Sequence, residues 1–145
     1  MANSLDIQIT EEGPRNAVVK LTGILDTSNI IETPAIALND FQSNEGERLV
    51  LNGFRIDLIE YSIGPGIEVL LEWSSLQPEQ IFPLSGRGRI SATNYGGFSP
   101  NKTLPGYNGD INLRTRNFVP GVDGQGNALV QNFTIILELV KLYRS

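Results

Sequence analysis

Alternation of apolar and polar residues is the feature that most constrains the fold of this chain. Residues 5–9 alternate in this way, and residues 67–73 place a large apolar side chain at every second position. Successive side chains of a β-strand point to opposite faces of a sheet, so this period of two predicts strands with one buried face. No stretch of about 10 to 15 residues with a helical period separates such segments. The pattern therefore predicts an all-β fold.

Glycine and proline divide the chain into short apolar segments joined by turns. The 145 residues include 15 glycines and 8 prolines, and such punctuation favours short strands over long helices. Residues 5–9 and 17–23 flank a turn sequence and are predicted to form an N-terminal hairpin. Residues 54–61 and 67–73 flank Gly64-Pro65-Gly66 and are predicted to form a second hairpin. Its expected core-facing side chains are Phe54, Ile56, Leu58, Ile67, Val69, Leu71 and Trp73.

The remaining segments supply further strands and one long connection. Residues 81–84 and 110–115 are short predicted strands, and Pro83 indicates an edge or a bulge because proline cannot donate a backbone hydrogen bond. Residues 133–143 form the most apolar run and are predicted to be a long central strand, although helical spacing also fits part of this run. Residues 26–46 are predicted to be a long loop with a short strand inside it.

The whole pattern predicts one antiparallel β domain that covers residues 1–145. About eight strands are expected, at spacings of roughly 8 to 20 residues. A β-sandwich or a barrel accommodates this number, and a jelly roll is the form we favour. A chain of 145 residues has the usual size of a single domain and can bury a full hydrophobic core.

The absence of cysteine and histidine excludes most catalytic and metal-binding chemistry. Without them the chain has no disulfide, no thiol nucleophile and no histidine base or metal ligand. The net charge of −5 argues against nucleic-acid binding, which depends on Lys and Arg against phosphate. No segment approaches the roughly 20 apolar residues of a membrane helix. We therefore expect a non-enzymatic cytoplasmic product with no cofactor, no metal, no nucleic-acid partner and no membrane partner.

Two groups of acidic and amide side chains have spacings that metal binding or acid catalysis can use. Asp123, Gln125 and Asn127 stand two residues apart, as at the start of a calcium loop. The downstream glutamate of such a loop is missing, so an ordinary turn is the favoured interpretation. Glu68 and Glu72 form a pair of acids that alternation predicts on an exposed strand face, where nothing indicates a cleft.

Two R-x-R pairs are candidate contacts for a partner. Arg87 and Arg89 form one pair, and Arg114 and Arg116 form the other. Residues i and i+2 of a strand share a face, so each pair presents two guanidinium groups side by side. The favoured interpretation is a solvated strand face whose arginines have partners in the same molecule. An ionic contact between subunits is the alternative.

Three aromatic residues lie in a second irregular loop, which spans residues 94–108 and is rich in glycine. They are Tyr95, Phe98 and Tyr107. Aromatic side chains in loops can anchor a protein interface or stack against sugars and bases. They can also fold back and cap the end of a β-sandwich, which is the interpretation we favour. The three residues remain interface candidates together with the four arginines.

Several segments, taken in order, resemble proteins of virus particles. They are LDIQI at 5–9, GPRNAVVKLTGILDTS at 13–28, LSGRG at 84–88, GGF at 96–98, GDINLRT at 109–115 and LELVK at 137–141. In that order they resemble small virion proteins of tailed bacteriophages, of the kind encoded close to the major capsid protein. Such proteins often serve as head decoration, or cement, proteins. Residues 32–47 have no counterpart in the resemblance.

The resemblance implies a structural role on the exterior of a phage head. A cement protein of this kind binds the major capsid protein and bridges neighbouring subunits. It is expected to be a homo-oligomer, with a trimer favoured at local three-fold positions, and to join the virion in the host cytoplasm. A head-tail connector or a tail component is the first alternative. A carbohydrate- or host-surface-binding β-sandwich module is the alternative from a different class.

Overall fold

The computed structural model describes residues 3–41, 50–122, 124–126 and 129–144, and the regular structure in these ranges is almost entirely β-strand. The nine strands found there are β1 (Ser4–Glu12), β2 (Asn16–Leu25), β3 (Thr33–Ile36), β4 (Val50–Ile63), β5 (Glu68–Trp73), β6 (Glu79–Leu84), β7 (Arg87–Ser91), β8 (Ile111–Arg116) and β9 (Gln131–Arg144). The helical elements among the described residues are two short 3₁₀ turns. These turns are Leu38–Asp40 and Thr93–Tyr95.

The strands form two sheets that pack face to face. The five-stranded sheet has the order β1-β2-β9-β4-β7, and the four-stranded sheet has the order β3-β8-β5-β6. The neighbouring strands pair in the antiparallel sense throughout. The prediction of an antiparallel β-sandwich is therefore confirmed, with nine strands in the described part of the chain where about eight were expected.

Alternate residues on the two inner faces build the core between the sheets. In β2 the buried residues are Ala17, Val19, Leu21 and Leu25, and in β9 they are Phe133, Ile135, Leu137 and Leu139. β9 lies between β2 and β4 and pairs with both over most of its length. The predicted long central strand is thus confirmed. The core also contains, as alternation predicted, Ile67, Val69, Leu71 and Trp73.

The strand pairs are nested around one reversal of the chain. β5 pairs with β6, β4 with β7, β3 with β8 and β2 with β9. Successive pairs alternate between the four-stranded and the five-stranded sheet. β1 adds a further strand outside β2. A single long antiparallel ribbon, folded around the core, therefore accounts for both sheets.

The predicted hairpin of β4 and β5 is wrong. The chain does turn at residues 64–66, where Gly66 has a φ of 83°, but β4 pairs with β7 and β9 whereas β5 pairs with β6 and β8. The Gly64 backbone N–H donates to Asn132 O at 2.9 Å, which holds the turn against β9 while the chain crosses to the other sheet. A turn sequence predicts a reversal of direction, but the sheet that receives the next strand depends on distant partners.

A β-bulge in β4 changes which of its side chains face the core. The register of β4 against β9 shifts between Ile56 and Leu58, so the alternation changes phase at the extra residue, Asp57. Phe54 and Ile56 lie in the core as predicted, but Ile59 follows them in place of Leu58. Leu58 is buried outside that core cluster, and its predicted position on the core face is wrong.

The N-terminal hairpin and the edge position of Pro83 are confirmed. β1 and β2 pair along nearly their whole lengths. Pro83 lies in β6, which ends the order of the four-stranded sheet. The stretch predicted as a long loop, residues 26–46, contains the short strand β3. Residues 42–46 of that stretch lie outside the described residues.

Candidate interaction surfaces

The second arginine pair lies on the outer face of the four-stranded sheet, where β8 carries Arg114 and Arg116. Arg116 stands opposite Glu68 of β5 and forms an ion pair with it. Arg114 Nε lies 3.3 Å from Glu72 Oε1, and Arg114 Nη2 lies 3.7 Å from Glu32 Oε2. Both guanidinium groups therefore have carboxylate partners in the same molecule, which supports the intramolecular interpretation of this pair.

Alternation predicted that Glu72 lies on an exposed strand face, and this prediction is wrong. It is buried, with 9% of its surface accessible, and the Arg114 guanidinium lies against its carboxylate. Asn112, which is also buried, donates from Nδ2 to Glu32 Oε1 at 3.3 Å. Arg114, Asn112, Glu72 and Glu32 thus form one connected ionic and hydrogen-bonded group across β8, β5 and the residue before β3, and the Arg116–Glu68 pair lies on the same two strands, β8 and β5.

Reversing the charge of Arg114 is expected to destabilise the protein. Arg114→Glu would bring a further carboxylate beside the buried Glu72 and the half-exposed Glu32. Because part of this network is solvated, we expect a loss of about 2 kcal/mol in the free energy of unfolding, below the cost of a fully buried unpaired charge. Urea denaturation measures the loss. Arg116→Glu, at the more exposed pair, is the control and is expected to lose less than about 1 kcal/mol; equal losses would contradict the role given to Glu72.

The first arginine pair lies on β7, an edge strand of the five-stranded sheet. Arg89 Nε is 3.3 Å from Glu60 Oε1, and both side chains of this pair are largely exposed. Arg87 is exposed and forms no ion pair with any residue that the structure describes. The two R-x-R pairs therefore differ, since the pair on β8 is engaged within the molecule and the pair on β7 stands at a solvated edge. Their role in an interface stays a prediction.

The loop aromatics do not form a common exposed platform. Tyr95, at the end of its 3₁₀ turn, is 80% exposed. Phe98 is half-buried, because its backbone bridges to Ile56 of β4 and its ring centroid lies 6.0 Å from that of Phe82. Trp73 is buried in the core. Tyr95 is therefore the exposed ring, whereas Phe98 and Trp73 are partly or fully buried.

Tyr107 is held against the beginning of β4. Its hydroxyl donates to Asn52 O at 3.3 Å. Burial, together with the negative charge of Asp110, raises the pKa of Tyr107 to about 12. Lys102 Nζ donates to Asn52 Oδ1 at 3.1 Å in the same region. The loop thus folds back on the sandwich at Phe98 and Tyr107, in line with the capping interpretation.

A third surface, which alternation does not reveal, lies in the connection between β8 and β9. Val119 is 74% exposed, Val122 64%, Leu129 43% and Val130 46%, and we call these four side chains the aliphatic loop. Single exposed apolar residues are common on proteins, whereas a contiguous patch of them is typical of an interaction site. The signal present in the sequence is four aliphatic residues within a turn region of glycine, proline and polar residues.

Hydrogen bonds fix the base of the aliphatic loop to the rest of the sandwich. Asn29 Nδ2 donates to Phe118 O at 3.0 Å, and Asn29 Oδ1 accepts from Phe118 N at 3.1 Å. The Leu129 backbone N–H donates to Gly121 O at 2.9 Å. Ile31, two residues after Asn29, is 77% exposed. The connection between β2 and β3 therefore adds an aliphatic side chain at the same end of the molecule.

The described residues hold no cluster suited to a metal ion. Throughout the part of the chain that the structure describes, no three acidic side chains come together in a way that could bind one. Of the calcium-like spacing, Asp123 and Asn127 lie outside the described residues. In the same described part, no helix is long and apolar enough to cross a membrane.

Comparison with known proteins gives no relative from which a function could be transferred. No family model matches the chain, and neither a curated protein nor a solved structure matches it. The function is therefore inferred from the surfaces of the molecule and from the resemblance in its sequence.

Proposed function

We propose that the protein is a structural component of a tailed-phage particle that decorates and cements the outside of the head. The observation that carries the proposal is the aliphatic loop, because four exposed aliphatic side chains at one end of a sandwich are suited to burial against a protein partner. The sequence resemblance to phage virion proteins supplies the identity of that partner, the major capsid protein.

The sandwich is, in this proposal, a jelly roll. The nested pairs that run from β2 with β9 inward to β5 with β6 are those of a ribbon of eight strands rolled into two sheets. This arrangement recurs in viral capsid proteins, among others. β1 is then an additional strand at the edge. Because one fold serves many functions, the strand order supports the proposal without being its basis.

Cementing would depend on many modest contacts. Each copy would bury its aliphatic loop against a capsid subunit and reach a neighbouring subunit with a second surface. Repeated over many sites, small contributions strengthen a shell through multivalency. Arg87, Arg89 and Tyr95 are exposed candidates for the second surface, whereas Arg114 and Arg116 already have carboxylate partners.

The two alternatives make different demands on the molecule. A head-tail connector or a tail component would use the same aliphatic surface at a lower copy number. A carbohydrate-binding module would need a platform of exposed rings. Of the three loop aromatics, Tyr95 is the exposed one, and Trp73 lies in the core. The aliphatic loop therefore favours a protein partner over a sugar.

Aspartate substitutions in the aliphatic loop test the proposal. Val119→Asp combined with Val122→Asp is expected to weaken binding to phage heads that lack the protein by about tenfold or more, because the contact would have to desolvate two carboxylates. The variant should unfold at the wild-type temperature, since both side chains are largely exposed in the free protein. Co-sedimentation of the purified protein with such heads measures the binding.

Leu76→Asp is the matched control for these substitutions. Leu76 is 78% exposed and follows the end of β5, at the opposite end of the sandwich. The Leu76→Asp variant is expected to bind phage heads as tightly as the wild-type protein does. Wild-type occupancy by the Val119, Val122 double variant would overturn the assignment of the aliphatic loop. Failure of the wild-type protein itself to bind heads would reject the decoration role.

A further inference from the structure

β1 has one edge without a partner strand. It stands at the end of the order of the five-stranded sheet, and its partner is β2. Within the described part of the chain, no backbone hydrogen bond reaches the other edge of β1. An unpaired edge presents a row of N–H and C=O groups that can pair with a further strand.

The other three edge strands carry residues that oppose the addition of a strand. β3 contains Pro34, β6 contains Pro83, and β7 carries two arginines along its exposed length. Proline and basic side chains are common protection for the edges of sheets. β1 has a bulge at Thr10 followed by two glutamates, but residues 5–9 before the bulge contain neither proline nor a basic residue, and Asp6 is the one charged residue among them. β1 is therefore the edge best suited to strand addition.

β1 also extends beyond the sheet that covers the core. A sheet of five strands faces a sheet of four, and the apolar residues of β1 that point inward are Leu5, Ile7 and Ile9. Ile7 is 39% exposed, although it pairs with the buried Leu21 of β2. The apolar stripe of β1 is thus incompletely covered, and covering it would be favourable.

We propose that a second copy of the protein pairs with this edge, β1 against β1, in the antiparallel sense and centred on Ile7. In this register Ile7 lies opposite its own counterpart, and Leu5 lies opposite Ile9. Asp6 lies opposite Gln8, whose amide can donate to the carboxylate. A two-fold contact must be complementary to itself. This register meets that requirement, because apolar residues face apolar residues and no like charges are opposed.

The contact brings two partly covered apolar stripes side by side. Each copy supplies three inward apolar residues, so the two uncovered stripes become neighbours in a sheet with five strands from each molecule. An antiparallel contact reverses the second copy, so the two aliphatic loops lie at opposite ends of the dimer. This two-fold dimer goes beyond the decoration role and differs from the trimer that the sequence resemblance implies.

A single cysteine tests the centre of the contact, because the chain has no cysteine of its own. Antiparallel partners have Cα atoms about 4.5 or 5.5 Å apart, and both separations allow a disulfide. Ile7→Cys is expected to form a disulfide-linked dimer under mild oxidation. Gln8→Cys, which faces Asp6 of the second copy, should give about a tenth of that yield or less. Electrophoresis without reductant measures both, and equal yields would overturn the proposed register.

Charge variants test the same register in solution by sedimentation. The wild-type protein is expected to reach twice the monomer mass as its concentration rises toward the millimolar range. Gln8→Asp places a carboxylate opposite Asp6 of the second copy, and the two-fold axis repeats this like-charge pair, so the variant should weaken the dimer about tenfold. Asp6→Lys combined with Gln8→Asp places opposite charges at both pairs and should restore the dimer. Ser91→Asp, on the far edge strand β7, is the control and should leave the dimer unchanged. A monomer at every concentration, a trimer, or a dimer insensitive to Gln8→Asp would each overturn the proposal, whatever the outcome of the head-binding experiment.

Discussion

Replacing Glu12 with alanine is expected to lower the free energy of unfolding by about 3 kcal/mol. Lys141 is buried on the inner face of β9, and its Nζ lies 2.6 Å from Glu12 Oε2. Glu12→Ala removes this carboxylate from an ammonium group that sits beside the core residue Phe54 in the paired strand. The same substitution loosens the link between the β1–β2 hairpin and β9. Urea denaturation followed by circular dichroism measures the loss.

Two companion variants separate the ion pair from other effects of the substitution. Glu11→Ala removes an exposed neighbouring carboxylate and is expected to change the free energy of unfolding by less than about 0.5 kcal/mol. Glu12→Ala combined with Lys141→Met removes both charges and should be more stable than Glu12→Ala alone, because no buried ammonium remains. A double variant less stable than Glu12→Ala would contradict this explanation.

Replacing Phe133 with alanine is expected to cost about 4 kcal/mol of stability, the second large effect. The ring of Phe133 is buried, and it lies over Gly23, its partner residue in β2. Gly23 occupies the one inner position of β2 where a side chain would overlap that ring. Gly23→Ala alone is therefore expected to cost about 2 kcal/mol through overpacking. Urea denaturation of each variant measures the two losses.

The two substitutions should compensate each other in part. When Phe133 is alanine, the methyl group of Gly23→Ala has room in the space that the ring has left. The double variant is therefore expected to be more stable, by about 2 kcal/mol, than the sum of the single losses implies. Strict additivity of the two losses would show that the ring and the glycine do not share this space.

The strands were predictable wherever one face is buried and the other is solvated. β2 shows this alternation in the sequence, and β9 combines it with β-branched and aromatic residues. The partners of the strands were less predictable. The turn at residues 64–66 does not indicate that the chain changes sheets there, and the adjacent apolar residues Leu58 and Ile59 do not show which of the two continues the core face beyond the bulge at Asp57. Both depend on β9, which is distant in the sequence.

The candidate surfaces were predictable to a smaller extent than the strands. The shared face of Arg114 and Arg116 follows from their spacing, but their carboxylate partners follow from the order of β5 and β8 in the sheet. Lys141 is in phase with Leu137 and Leu139, a signal of an inward position, whereas its partner Glu12 is 129 residues away. The pairing of distant residues is a property of the folded chain alone.

The number of copies of this protein in a purified virion tests the decoration role most directly. Quantitative mass spectrometry of particles purified by density measures that number relative to the major capsid protein. A decoration protein is expected in copy numbers comparable with the capsid protein, since multivalent reinforcement needs many occupied sites. A handful of copies per particle would instead indicate a connector or a tail component, and absence from the particle would contradict a virion role altogether.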